Sequence, residues 1–275
     1  MDKNLVTRAL TGAVYVLCTL GAMYFGAITA AIYLTIIAVF CLYEFYKLSG
    51  LKGQPIVWAH IFMGTVLVVS LFCYSAKWLN YSEYVWFILP LSMVLWIFSE
   101  NTAAAWSKLV GGMLYTIVPF ILFYQTALSK SGEFDASLLL MVFVLVWSTD
   151  TFAYLVGRKL GKHKLAPHIS PGKTWEGLAG GIVGSVLVSL IFYKFNPMYE
   201  SWFYVASAII VALFGVLGDL FESKLKRLAG VKDSGKMLPG HGGFLDRFDS
   251  LLLVAPPFYV FYTGYLHFLL LIDAF

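Results

Sequence analysis

Between Ser223 and Asp249 the chain gathers cations, carboxylates and glycines in an order that suits phosphate chemistry with a divalent metal. Lys232-Asp233-Ser234-Gly235-Lys236 comes first, then Pro239-Gly240-His241-Gly242-Gly243, then Asp246-Arg247-Phe248-Asp249. Glycines let backbone N–H groups approach a phosphate closely. Lysine and arginine neutralise its charge, and aspartate supplies the hard oxygens that Mg²⁺ takes. An ordinary connecting loop would need neither Asp246 nor Asp249. His241 fits a proton donor, a phosphate contact or a plain loop residue equally well by type and position.

Three further stretches carry ionisable groups where apolar sequence surrounds them. In Gly218-Asp219-Leu220-Phe221-Glu222-Ser223-Lys224-Leu225-Lys226-Arg227, the residues Asp219, Glu222, Ser223 and Lys226 share one helical face. Burying such carboxylates in a membrane is expensive without a purpose. Asp150, Tyr154 and Arg158 share a face in the same way, so Asp150 is either a structural partner of Arg158 or a site carboxylate. In Ser170-Pro171-Gly172-Lys173-Thr174-Trp175-Glu176-Gly177, the pattern predicts Ser170 as a helix N-cap and Lys173 in the first turn. The helix dipole disfavours a cation there unless an anion is bound. A lysine that merely snorkels and adds charge at the membrane rim is the other reading. Gly177, Gly180, Gly181 and Gly184 overlap as GxxxG patterns, which close helix packing explains without a ligand.

What must position these residues is a set of membrane-spanning helices. Of 275 residues, 60% are hydrophobic and 12% charged, and the mean hydropathy is +0.81. A soluble domain carries about 25% charged residues. Nine runs are long enough to span, at 9–25, 27–46, 55–75, 82–99, 103–128, 136–157, 174–194, 202–222 and 249–272. The first lacks a clear cleavage site and is read as retained. Cys18, Cys41 and Cys73 fall inside spans without metal-ligand spacing and are expected to be buried apolar residues. The basic loops 158–173 and 223–247 are assigned to the cytoplasm by their lysines and arginines. Threading nine spans from there puts the N-terminus inside and the loop with Glu133 and Asp135 outside. The expected protein is all-α and polytopic, with a scaffold over 1–135 and a catalytic region over 136–275.

The residues also resemble a known family, the phosphatidate cytidylyltransferases or CDP-diacylglycerol synthases. The resemblance lies in Ser223-x-Leu225-Lys226-Arg227, Lys232-Asp233-x-Gly235, and Leu238-Pro239-x-His241-Gly242-Gly243-Phe244-x-Asp246-Arg247-Phe248-Asp249. The Ser170-Pro171-x-Lys173-Thr174-Trp175-x-Gly177 and Asp150…Ala153-Tyr154…Gly157 stretches are similar to the family's as well. Gly172 departs from it, standing where many relatives have lysine, which makes it a poor phosphate contact. The resemblance implies an all-helical membrane enzyme and a homodimer; the expected location is a bacterial inner membrane, with the site facing the cytoplasm as the basic loops assign it. The enzyme would join CTP to phosphatidic acid, giving CDP-diacylglycerol and pyrophosphate with Mg²⁺. Mn²⁺ is a substitute, a second metal ion is left open, membrane lipids are partners, and no nucleic acid is expected.

Within that reading the lipid phosphate attacks the α-phosphorus of CTP in line, needing no strong general base because a phosphomonoester is already anionic. Asp219 and Asp246 are the expected metal ligands, with Asp150 and Asp249 as ligands or supports beside them. Lys173, Lys226, Arg227, Lys232, Lys236 and Arg247 are expected to meet phosphates, with Ser170, Ser223 and Asp233 also in the substrate site and His241 among the catalytic candidates. The rivals are a CTP-dependent enzyme acting on another lipid phosphate or a polyprenol, and an ion-coupled transporter. Inverted repeats and broken mid-membrane helices, which a transporter would call for, are not evident in the sequence.

Overall fold

A computed structural model describes residues 3–51, 55–75, 103–128, 133–240 and 242–272. Among them are eight helices and one short sheet: α1 Lys3–Tyr24, α2 Ala27–Leu48, α3 Pro55–Ser75, α4 Ala103–Gln125, α5 Ser137–Leu160, β1 Lys164–Ala166, β2 Ser170–Thr174, α6 Trp175–Phe195, α7 Ser201–Leu228 and α8 Leu245–Ile272. Six are long and apolar enough to cross a membrane, namely α2, α4, α5, α6, α7 and α8, while α1 and α3 contain shorter apolar stretches. The protein is thus an all-α polytopic membrane protein. Eight expected spans fall on helices; the span at 82–99, and His241, lie outside the described residues. Helix α5 runs on to Leu160 and α7 to Leu228. Each ends in basic residues, Arg158 and Lys159 or Lys226 and Arg227, which favour the negative end of a helix dipole.

The chain divides into two compact units, Met1–Ala136 with Leu225–Phe248, and Ser137–Lys224 with Asp249–Phe275. In the first, α2 packs on α3 and α4. The Tyr46 hydroxyl donates to Leu109 O at 2.8 Å, and the ring lies against Gly112, where a Cβ would come within 2.5 Å of it. Ile28, Ile32 and Ile36 are exposed at four-residue spacing along α2, an outward apolar stripe suited to lipid. The segment carrying the signature motif joins this unit through aromatic contacts. Phe244 stacks on Phe40 at 4.8 Å, and Phe248 meets Tyr15 and Phe120 edge-on at 5.5 and 5.8 Å.

In the second unit α5 and α6 pack through the glycines read from the sequence. A Cβ at Gly180 would lie 2.5 Å from Val156, one at Gly181 would lie 3.1 Å from Thr149 O, and Gly184 faces the Phe152 ring. Between these helices β1 and β2 form an antiparallel hairpin that pairs Ala166 with Ser170 and Lys164 with Thr174. Two expectations change here. Ser170 is not the N-cap: Ser170-Pro171 would suit a helix start as well as a strand, but pairing with Lys164 and Ala166 makes 170–174 extended, and Thr174 caps α6 by accepting from Gly177 N at 3.1 Å. Lys173 therefore sits in the strand, just ahead of the helix. Cys18 is exposed on α1 and only Cys41 is buried among the cysteines whose side chains are described.

Candidate active site

The second unit encloses a cavity of about 710 Å³ whose lining includes Asp150, Arg158, Ser170, Lys173 and Asp219. Each comes from a different local cause. Helix α5 presents Asp150, Tyr154 and Arg158 at intervals of four residues, and Arg158 Nη1 donates to the Tyr154 hydroxyl at 3.3 Å. The hairpin delivers Ser170 and Lys173. It is held by Glu176 in the first turn of α6, which accepts from Lys162 N at 3.1 Å and His163 N at 3.2 Å and contacts His163 Nδ1 at 2.6 Å. Asp219 follows Gly218, and a Cβ at 218 would run into Asp249 O and lie 2.9 Å from Ser250 Cα. That missing side chain lets α7 and the start of α8 touch, bringing the Asp249 backbone beside Asp219.

Lys173 Nζ lies 2.9 Å from Asp219 Oδ2, with side-chain exposures of 21% and 35%. Ser223 Oγ donates to Asp219 Oδ1 at 3.1 Å. A carboxylate has about four lone-pair sites, so Asp219 retains accepting capacity toward the cavity. Among the described residues no group of three or more histidine, cysteine or acidic side chains forms a ready metal cage. Mg²⁺ needs fewer, because it commonly binds through one or two carboxylates plus substrate phosphates and water. Asp150 and Asp219, facing one cavity, fit that requirement.

The first unit treats its signature residues differently. Lys226 Nζ is 2.7 Å from Asp246 Oδ1, and the side chains are only 13% and 5% exposed. Asp246 Oδ2 accepts from Ser234 N, Ser234 Oγ and Gly243 N at 2.9, 2.9 and 2.8 Å. Gly242 adopts a φ of +91°, and a Cβ there would come within 2.7 Å of Asp246 Oδ2. Asp246 is thus the hub of the loop, with each oxygen already accepting. Lys232, Asp233 and Lys236 are exposed and line a second cavity of about 890 Å³. Arg227 and Arg247 are exposed, with Arg227 Nη1 donating to Val231 O at 3.4 Å.

Sequence reasoning missed Glu44 of α2. It is 1% exposed, and its Oε2 accepts from Ser234 Oγ at 2.8 Å and Leu245 N at 2.9 Å. Gly235 and Gly243 wrap it so closely that neither could carry a side chain without displacing it. The signal was present, since Glu44 is an acid inside an apolar span, the same anomaly that singled out Asp150.

Comparison with known proteins shows the family. A model of the cytidylyltransferase family matches residues 6–265. The phosphatidate cytidylyltransferase of Staphylococcus epidermidis is 35% identical over 254 residues, covering 90% of this chain and 95% of the relative. Those of Staphylococcus haemolyticus and Staphylococcus aureus match at the same identity and coverage, over 258 and 256 residues. With nearly the whole chain matched, the membrane spans as well as the polar site, this protein belongs to the cytidylyltransferase family.

Proposed function

We propose that the protein transfers the cytidylyl group of CTP to phosphatidic acid, forming CDP-diacylglycerol and pyrophosphate. The observation that carries this is the convergence of Asp150, Ser170, Lys173 and Asp219 on one cavity at the end of membrane helices. In the reaction an oxygen of the lipid phosphomonoester attacks the α-phosphorus of CTP. The bond from that phosphorus to the oxygen bridging to the β-phosphate breaks, and pyrophosphate leaves with the electron pair. The nucleophile is already anionic, so the side chains have to align phosphates and offset their charge rather than remove a proton.

Lys173 is poised for that role, because its ammonium group can pass from Asp219 to a phosphate oxygen without leaving the cavity. Arg158 and Lys164 add positive charge to the same walls, and the half-buried Ser170 offers a hydroxyl. Asp150 and Asp219 would hold Mg²⁺, or Mn²⁺ in its place. When bound, such an ion neutralises phosphate charge and orients the leaving group. Asp246 would have to release Lys226 or its loop donors before it could ligate. The remaining parts of the reading are a homodimer, placement in a bacterial inner membrane and a site open to the cytoplasm. The lysine-rich and arginine-rich loops support that orientation.

The test is direct. Purified protein in detergent, given labelled CTP, phosphatidic acid and Mg²⁺, is expected to release CDP-diacylglycerol and pyrophosphate in equal amounts. Activity should vanish with excess EDTA and return with Mg²⁺ or Mn²⁺. Absence of any CDP-lipid from folded protein would overturn the reading, and full turnover in EDTA would remove the metal from it.

A further inference from the structure

The cavity of the first unit carries three of the expected substrate residues, Lys232, Asp233 and Lys236, and is the more strongly charged of the two cavities. Its lining includes Lys47, Lys108, Lys232 and Lys236, against Asp233 as the one carboxylate among the described residues that line it. Four lysines less one aspartate leave three uncompensated positive charges. Lys108 Nζ donates to Ser49 O at 3.0 Å. The side chains of Lys47, Lys232 and Lys236 make no ion pair or hydrogen bond among the described residues. Lysines drawn around one space without counter-charges repel one another, and an anion in that space reverses the sign of the interaction.

Two further features narrow the anion to a lipid. Lys47 lies in the last turn of α2, Lys108 at the start of the apolar stretch of α4, and Leu225 and Leu228 in the last turns of α7. All three helices are long and apolar enough to span, so the cavity lies where spanning segments end. Apart from Ser49 and Ser234, the large side chains of its other walls are apolar, from Phe45, Leu48, Leu225, Leu228 and Val231. Charge beside apolar surface at the membrane boundary suits an amphiphile, and basic pockets between spanning helices are known to hold anionic headgroups. A free nucleotide shares the phosphate but gives the apolar walls less to cover.

We propose that this cavity is a binding site for the phosphate headgroup of an anionic glycerophospholipid, with Lys47 and Lys108 as recognition residues beside Lys232 and Lys236. A phosphomonoester, carrying about −1.5 to −2 charges, balances the three uncompensated lysines better than a phosphodiester. Phosphatidic acid is therefore the preferred occupant. Its choice as ligand rests in part on the function proposed above, whereas the demand for a lipid phosphate does not.

The experiment reads binding without turnover. Protein in detergent is titrated with dioctanoyl phosphatidic acid, dioctanoyl phosphatidylcholine or CTP, and the melting temperature is followed for wild type, Lys47→Gln, Lys47→Arg and the Lys47→Gln/Lys108→Gln double variant. Phosphatidic acid is expected to stabilise wild type and Lys47→Arg. Its apparent Kd should weaken about fivefold in Lys47→Gln, the factor that one lysine beside an anionic headgroup is worth, and further in the double variant. Phosphatidylcholine should have no effect, and CTP affinity should stay at the wild-type value. Lys47→Gln removes no hydrogen bond, so it decides the matter if the double variant fails to fold. Undiminished affinity for phosphatidic acid in Lys47→Gln, or no such affinity in wild type, overturns the proposal, and so does a loss of CTP affinity instead. A protein that binds phosphatidic acid through Lys47 but makes no CDP-lipid would retain this site and lose the catalytic reading.

Discussion

The protein contains the same ion pair twice, in two environments. Lys173–Asp219 lies in an open cavity with both side chains partly exposed. Lys226–Asp246 is nearly sealed, and its carboxylate also accepts two backbone N–H groups and a hydroxyl. Partly exposed pairs contribute little to stability, about 0–1 kcal/mol. A buried pair that loses one partner leaves the other uncompensated, at a cost of about 3–5 kcal/mol. The difference teaches that the first pair can exchange partners while the second holds a loop in shape, although the sequence presents both as an aspartate and a lysine at the membrane rim.

Asp219→Asn gives the largest expected effect. Turnover should fall by about 10²-fold or more, the scale of losing one electrostatic stabiliser in a preorganised site, while the melting temperature stays close to wild type. Steady-state CDP-lipid formation and thermal unfolding, measured on the same preparation, check both halves. A large stability loss with turnover retained would erase the distinction between the pairs.

Asp246→Asn should show the reverse emphasis. The amide keeps one accepting oxygen but must aim its NH₂ either at Lys226 or at the donors of Ser234 and Gly243, so we expect a stability loss of about 3 kcal/mol. Adding Lys226→Met should recover part of it, because deleting both buried charges costs less than stranding one. If the double variant melts no higher than the single one in detergent, the buried-pair account is wrong.

Glu44→Ala should cost less, about 2 kcal/mol, by leaving the buried Leu245 N–H without its acceptor and the Ser234 hydroxyl with Asp246 Oδ2 alone. Glu44→Gln should nearly restore stability, since one carbonyl oxygen can serve both donors that now share Oε2. Equal losses for the two variants would mean that the negative charge, not the acceptor, holds the loop.

Much of this was legible beforehand, for identifiable reasons. Spans follow from composition because the bilayer demands long apolar runs, and the packing of α5 on α6 follows from Gly177, Gly180, Gly181 and Gly184. The hairpin was hidden because Ser170-Pro171 fits a helix start as well as a strand, and cross-strand pairing with Lys164 and Ala166 decides between them. Glu44 was legible as an acid inside an apolar span, but its role was not, because its partner Ser234 is 190 residues away, a distance over which local pattern carries no information. The different surroundings of Asp219 and Asp246 were invisible for the same reason: residue type is shared, and only burial and the number of donors separate them.

The smallest expected effect tests whether the open cavity receives phosphate at its hairpin lip. Gly172 lines that cavity, is exposed, and has nothing within 4 Å of where its Cβ would be. Its φ is not in the left-handed region, so Gly172→Lys should fold with a stability change of about 0.5 kcal/mol or less. The added ammonium sits beside Lys173, and a second cation near a triphosphate should lower the KM for CTP by roughly two- to fivefold at low ionic strength, on the scale of an exposed ion pair. Because the side chain is exposed, about 1 M salt, with a screening length of about 3 Å, should erase the gain. Gly172→Gln supplies the control, matching lysine in length without its charge. An unchanged KM in low salt would move the phosphate away from the hairpin, and an equal gain in Gly172→Gln would assign the effect to the hairpin backbone rather than to charge.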